Sequence, residues 1–112
     1  MDCLFCKIIA GEIPSKKLYE DEDVYAFYDI EPQAPVHFLV VPKMHISGPD
    51  QIDEKSERVV GKIFSVIAML AKELKLEKGY RVVTNCGEEG GQTVGHLHYH
   101  VLAGRNLSWP PG

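Results

Sequence analysis

The sequence predicts an α+β fold: a five-stranded antiparallel sheet with one long helix and a short N-terminal helix. Five short segments rich in Val, Tyr, Phe or Leu are bounded by Gly, Pro and Asp, the punctuation expected of strands. One stretch alone, residues 56–76, sustains a helical period. The strands follow one another with a single helix inserted rather than alternating with helices, which favours an antiparallel sheet. With 112 residues the chain is long enough for one core and too short for two, so 1–112 reads as a single domain.

Taken in order, "CLFCKIIAG" places apolar residues at 4, 5, 8 and 9 and meets Gly11, which predicts a short helix. "KLYEDEDVYAFYDI" predicts two strands, near 17–20 and 24–29, turning at "DED". "PVHFLVVP" lies between Pro35 and Pro42, and its apolar density predicts a strand buried within the sheet. In "SERVVGKIFSVIAMLAKELKL" apolar side chains recur at 59, 60, 63, 64, 67, 70, 71 and 74. That spacing predicts a long amphipathic helix, capped by Asp53 or Ser56 and finished before Gly79. "YRVVTN" and "HLHYHVLAG" complete the sheet, joined by the glycine-rich "CGEEGGQTVG". The tail "NLSWPPG" is too rich in proline for regular structure, and its Trp109 needs a surface to lie on.

Composition narrows the functions. The chain is 45% hydrophobic and 25% charged, as ordinary globular domains are, with a net charge of −4. No cluster of Lys or Arg offers a groove for a nucleic-acid polymer, although a single nucleotide could still be held by local donors. No apolar run approaches the ~20 residues that span a bilayer. The N-terminus lacks the basic start and apolar run of a secretory signal. Three cysteines are too few for a disulfide framework, which predicts a reduced, cytoplasmic setting and leaves Cys3-x-x-Cys6 for metal or redox work.

Function concentrates in "GHLHYHVLAGR", where His96, His98 and His100, three of five histidines, fall at alternate positions. On a strand all three share one face, and Leu97, Tyr99 and Val101 share the other. At ~3.3 Å rise per residue, neighbours stand ~6.6 Å apart and the outer pair ~13 Å. Two neighbours can reach one metal or one substrate group, but three cannot ligate one ion from a straight strand, so their roles must differ. The preceding "EEGGQTVG" brings backbone N–H groups, Gln92 and Thr93 together as a plausible phosphate cradle. A catalytic metal on His96 and His98 would be a rival, but no obvious carboxylate third ligand lies near them.

His96-Leu97-His98-Tyr99-His100-Val101-Leu102 resembles the His-x-His-x-His-x-x signature of the histidine triad (HIT) family. "DIEPQAPVHFLVVPKMHI", "NCGEEGGQTVGHLHYHVLAGR" and the terminal "WPPG" look like its Hint branch, and the likeness covers nearly the whole chain. The resemblance implies a nucleotide hydrolase or transferase acting at the α-phosphate of purine nucleoside phosphoramidates. A non-catalytic nucleotide-binding regulatory protein is the alternative.

Carried over residue by residue, His98 would be the nucleophile, His100 would steady the phosphate, and His37 would support them. A neutral imidazole is an available nucleophile, and a backbone carbonyl accepting its other N–H would fix the tautomer. Asn85, Gly91, Gln92 and Thr93 would hold the phosphate and leaving group, with Thr93 standing where many Hint proteins carry serine. Asp29 would accept the ribose hydroxyls, and Phe5, Ile8, Phe27, Ile30 and Leu39 would surround the base. Cys3 and Cys6 match members in which such a pair joins two histidines, here His45 and His96, around a structural zinc ion. The resemblance further implies a homodimer with sheets joined across a two-fold axis, each tail with its Trp109 reaching toward the partner's site.

Overall fold

A computed structural model describes residues 3–112. Helix α1 (Leu4–Ile9) is followed by strands β1 (Lys17–Glu20), β2 (Val24–Tyr28) and β3 (Val36–Pro42). A short 3-10 turn at Pro49–Gln51 leads into helix α2 (Glu57–Glu73), and strands β4 (Arg81–Val83) and β5 (Tyr99–Ala103) close the order. All pairings are antiparallel, in the order β1-β2-β3-β5-β4. The predicted α+β class, five strands and two helices are all present, and β3 sits at the centre as its apolar run requires.

Because side chains alternate across a strand, the sheet has two different faces. Val24, Ala26, Phe38, Val40, Tyr99 and Val101 pack against Ile63, Val66, Ile67 and Leu70 of α2. The other face carries Tyr25, Phe27, Leu39 and Val41, covered by Cys3, Phe5 and Ile8 at α1. The long helix therefore covers the centre of one face, and the six-residue α1 covers only part of the other. The uncovered part is where the histidines lie.

The ends of α2 fall where the sequence expects them and the start of β5 does not, and local groups decide all three. Helix α2 stops at Glu73 in a Schellman closure: Lys75 turns to φ 59°, its N–H bonds Lys72 O, and Leu76 N–H bonds Ala71 O. Lysine stands at the position where glycine usually marks such an end, and the helix finishes before Gly79 as expected. At the helix start Ser56 is the cap residue but its hydroxyl makes no capping bond; Asp53 O accepts from both Ser56 N and Glu57 N. The last strand pairs only from Tyr99, opposite Val40, and not from the first histidine, so residues 96–98 lie outside the ladder although β3 runs on to Pro42. Leu97 N–H instead bonds Ile46 O at 2.6 Å. The alternation survives outside the ladder: Leu97 lies in the core beneath α2, and His96 and His98 lie on the other side.

Candidate active site and metal centre

Two clusters meet on the α1 side of the sheet. In the first, Cys3, Cys6, His45 and His96 offer ligand atoms that all lie within 4.8 Å of one another. Cys3 caps the helix that carries Cys6, so Cys-x-x-Cys here is one helical turn with both sulfurs on one side. Sγ of Cys3 is 3.3 Å from His96 Nδ1, Sγ of Cys6 is 3.4 Å from His45 Nδ1 and 3.6 Å from His96 Nδ1, and the two Nδ1 atoms are 3.2 Å apart. Tetrahedral zinc, with bonds of about 2.0–2.1 Å to nitrogen and about 2.3 Å to sulfur, needs ligand–ligand edges of about 3.3–3.8 Å. The four side chains fit that ion. Nε2–H of His96 donates to Pro42 O at 2.9 Å, which leaves Nδ1 unprotonated for the metal.

The second cluster is the rest of the histidines. His98 Nδ1–H donates to the backbone carbonyl of His96 at 2.7 Å, so its proton is fixed on that nitrogen and its Nε2 keeps a lone pair. The ring is buried edge-on to Phe5, with centroids 5.1 Å apart, and close to His100 at 5.0 Å. Thr84, just beyond β4, donates its hydroxyl to His98 O at 2.9 Å, holding the same residue from its other side.

His37 and His100 face each other across paired strands, with Nε2 of the first 2.9 Å from Nδ1 of the second. Their proton placement follows from a third group. The backbone N–H of Gln33 donates to His37 Nδ1 at 3.0 Å, so the His37 proton sits on Nε2 and is given to His100 Nδ1. His100 must then carry its own proton on Nε2. Burial, with His98 and His37 beside it, holds His100 down to about 4, so it is neutral at physiological pH. Burial also lowers His37, against the opposing pull of Asp29.

Asp29, His37 and His100 also place ligand atoms within 4.8 Å of one another, but the tautomers argue against an ion there. For His37 Nε2 to bind a metal its proton would have to move to Nδ1, where the Gln33 N–H already points.

A cavity of about 460 Å³ opens beside His98 and His100. Phe5, Ile8, Phe27, Ile30 and Leu39 line it, with Asp29 and Thr93 at its polar side. Ile30 is 93% exposed, so it offers a rim rather than a wall. Leu4, Ile13 and Val94 also line the cavity and had no signal in the sequence beyond being apolar.

The remaining expected residues are placed less directly. Gly91, Gln92 and Thr93 line an adjacent groove of about 540 Å³, and Thr93 alone among them belongs to both spaces. The Gln92 amide is committed to the loop: Nε2 donates to Ser47 O and Val94 O, and Oε1 accepts from Gly87 N. It shapes the cradle instead of presenting a free donor to phosphate. Asn85 lines neither space. Trp109 is 79% exposed and lies near Arg81 at the start of β4, whose guanidinium also holds Leu107 O and Ser108 O, and Trp109 does not line the cavity of its own chain.

A five-stranded antiparallel sheet carrying a cluster of alternating histidines beside a cavity, with a Cys2His2 set next to it, defines a small histidine-centred α+β domain. The chain belongs to the HIT family: the HIT domain model matches residues 10–107. It is similar to a 14 kDa zinc-binding protein of Zea mays, 48% identical over 97% of this chain and 87% of the relative. Its structure is similar to that of a HIT family hydrolase from Legionella pneumophila, with TM-score 0.97 and 45% identity over 99% of this chain and all of the other. It is also similar to a histidine triad nucleotide-binding protein from Candida albicans, with TM-score 0.84 and 38% identity over 97% and 83% of the two chains.

Proposed function

We propose that this protein is a Hint-type hydrolase that cleaves purine nucleoside phosphoramidates, or acyl nucleotides, at the α-phosphate through a nucleotidyl-His98 intermediate. One observation carries the proposal. The His96 carbonyl accepts a hydrogen bond from Nδ1–H of His98, leaving the Nε2 lone pair beside a cavity of nucleotide size. Attack forms an N–P bond and breaks the bond from phosphorus to the departing amine or acyl group. Water then cleaves the N–P bond and returns the imidazole.

The surrounding residues divide the remaining tasks. His100 donates its Nε2–H to a phosphate oxygen as charge accumulates. The Thr93 hydroxyl, at the junction of the two spaces, hydrogen-bonds the leaving group, which occupies the groove formed with Gly91. The base lies between Phe5, Ile8, Phe27 and Leu39 under the rim at Ile30. The Asp29 carboxylate, with Oδ1 already accepting from Glu31 N–H, takes the ribose hydroxyls with its remaining lone pairs.

Zinc at Cys3, Cys6, His45 and His96 serves structure and supplies no step of the reaction; its ligands tie α1 to the sheet. The name of the maize relative supports the metal, and the names of the Legionella and Candida proteins support hydrolysis and nucleotide binding. We place the protein in the cytoplasm as a homodimer; among the described residues no helix is long and apolar enough to cross a membrane.

The test is hydrolysis of an adenosine 5′-phosphoramidate by wild type and His98→Ala. The variant should lose at least about 10³-fold in kcat, and rapidly quenched wild type should carry a nucleotidyl adduct on His98 by mass spectrometry. Activity retained by the variant would remove His98 from the chemistry.

A further inference from the structure

Arg105 closes the histidine-bearing segment and reaches the site from outside it. Among the described residues it meets no carboxylate within ion-pair distance. Its Nε and Nη2 both donate to a single acceptor, the carbonyl of Gln33, at 3.1 and 2.9 Å. Gly104 makes the approach possible. It has φ +96°, and a Cβ there would stand 2.8 Å from Pro35 Cβ. The chain leaving β5 thus lies directly on the loop that enters β3.

Gln33 is thereby held from both ends, its carbonyl by Arg105 and its N–H by the ring of His37. An N–H aimed at Nδ1 fixes the ring and forbids a proton on that nitrogen, because two N–H groups cannot face each other. Three groups face His37: the Gln33 N–H, the His100 ring, and the Asp29 carboxylate 3.5 Å from Nε2. The carboxylate favours an imidazolium, and the Gln33 N–H opposes it.

We propose that Arg105 is a positioning residue for the pocket. By clamping the Gln33 carbonyl it keeps the Gln33 N–H on His37, and so keeps the His37–His100 pair neutral and aligned with its outer N–H toward the phosphate. The catalytic consequence rests on the hydrolase function proposed above; the ring states do not.

The test follows histidine ring nitrogens by NMR through a pH titration of 15N-labelled, zinc-loaded wild type, Arg105→Ala and Arg105→Lys. Values of kcat and KM for an adenosine 5′-phosphoramidate are measured on the same samples. In Arg105→Ala, His37 should take up its second proton about half a pH unit or more higher than in wild type. Its kcat should fall about 10-fold, with KM changed by less than about 2-fold. Arg105→Lys retains a single donor and should recover part of both effects. Identical His37 titrations in the three proteins overturn the proposal whatever kcat does, as does a shifted titration with kcat unchanged. If wild type cleaves no phosphoramidate, the hydrolase function fails, and the ring titrations alone decide the role of Arg105.

Discussion

At His100, burial and two neighbouring imidazoles bring the folded-state pKa down to about 4, from 6.5 for an unperturbed ring. The unfolded chain therefore binds a proton at His100 between those values where the folded chain does not. Stability tied to this residue is fully present above about pH 6.5 and is lost as pH falls toward 4. The size of the effect is about 2 kcal/mol. Urea unfolding of wild type and His100→Gln at pH 7 and 4.5 measures it: wild type should lose about that much more than the variant on acidification. Equal losses would mean that the ring is not held neutral. The same physics explains what the sequence could and could not say about single residues. Three histidines in register announced a site, and the requirement for different roles followed from strand spacing. A backbone carbonyl for His98 was expected, but that it belongs to His96, and the tautomers of His37 and His100, did not follow, because they rest on backbone groups that nearly every residue type supplies.

Helix α1 shows how an element too short to persist alone becomes part of a binding site. Six residues give too few hydrogen bonds to repay nucleation, so α1 depends on Phe5 and Ile8 against the sheet and on Cys3 and Cys6 at the metal. The helix that carries two metal ligands also carries Phe5, whose ring touches Phe27, His96 and His98. Losing the metal should therefore loosen the wall of the cavity as well as the N-terminus. Cys3→Ser, or wild type treated with a strong chelator, should melt roughly 10 °C lower or more and bind AMP at least about 10-fold more weakly. Restoring Zn2+ should recover the chelated wild type. A melting temperature unmoved by metal removal would show that α1 holds without it. Element positions were readable wherever the apolar period was clean, as in α2 and β3. The boundary that escaped, the start of β5, was decided by a tertiary partner: the Leu97 N–H bonds the carbonyl of Ile46.

For the whole molecule, two faces of one sheet have been given separate tasks. Helix α2 fills one with a continuous apolar core, and the other is left partly open, so that the chemistry sits where stability asks least of the side chains. The class and the strand count were legible because each strand's alternation serves both faces at once. The strand order was not, since β5 inserts between β3 and β4 through pairings distant in sequence. That order leaves β4 at an edge, with one side of a three-residue strand unpaired. Unpaired strand edges favour continuation by another strand. Close to it Phe64 of α2 is 48% exposed although its ring packs on Tyr99 of the adjoining β5, and Tyr80 precedes β4 with its ring also exposed. An edge strand flanked by two exposed aromatics suits a second copy of the same chain related by a two-fold axis, which would extend the sheet and cover both rings. Sedimentation equilibrium at micromolar concentration should give twice the 12.5 kDa chain mass. Phe64→Glu, which places a charge against its symmetry mate, should give the single mass while keeping the same far-UV circular dichroism. Wild type at the single mass, or Phe64→Glu still at the double mass, would move the interface away from this edge.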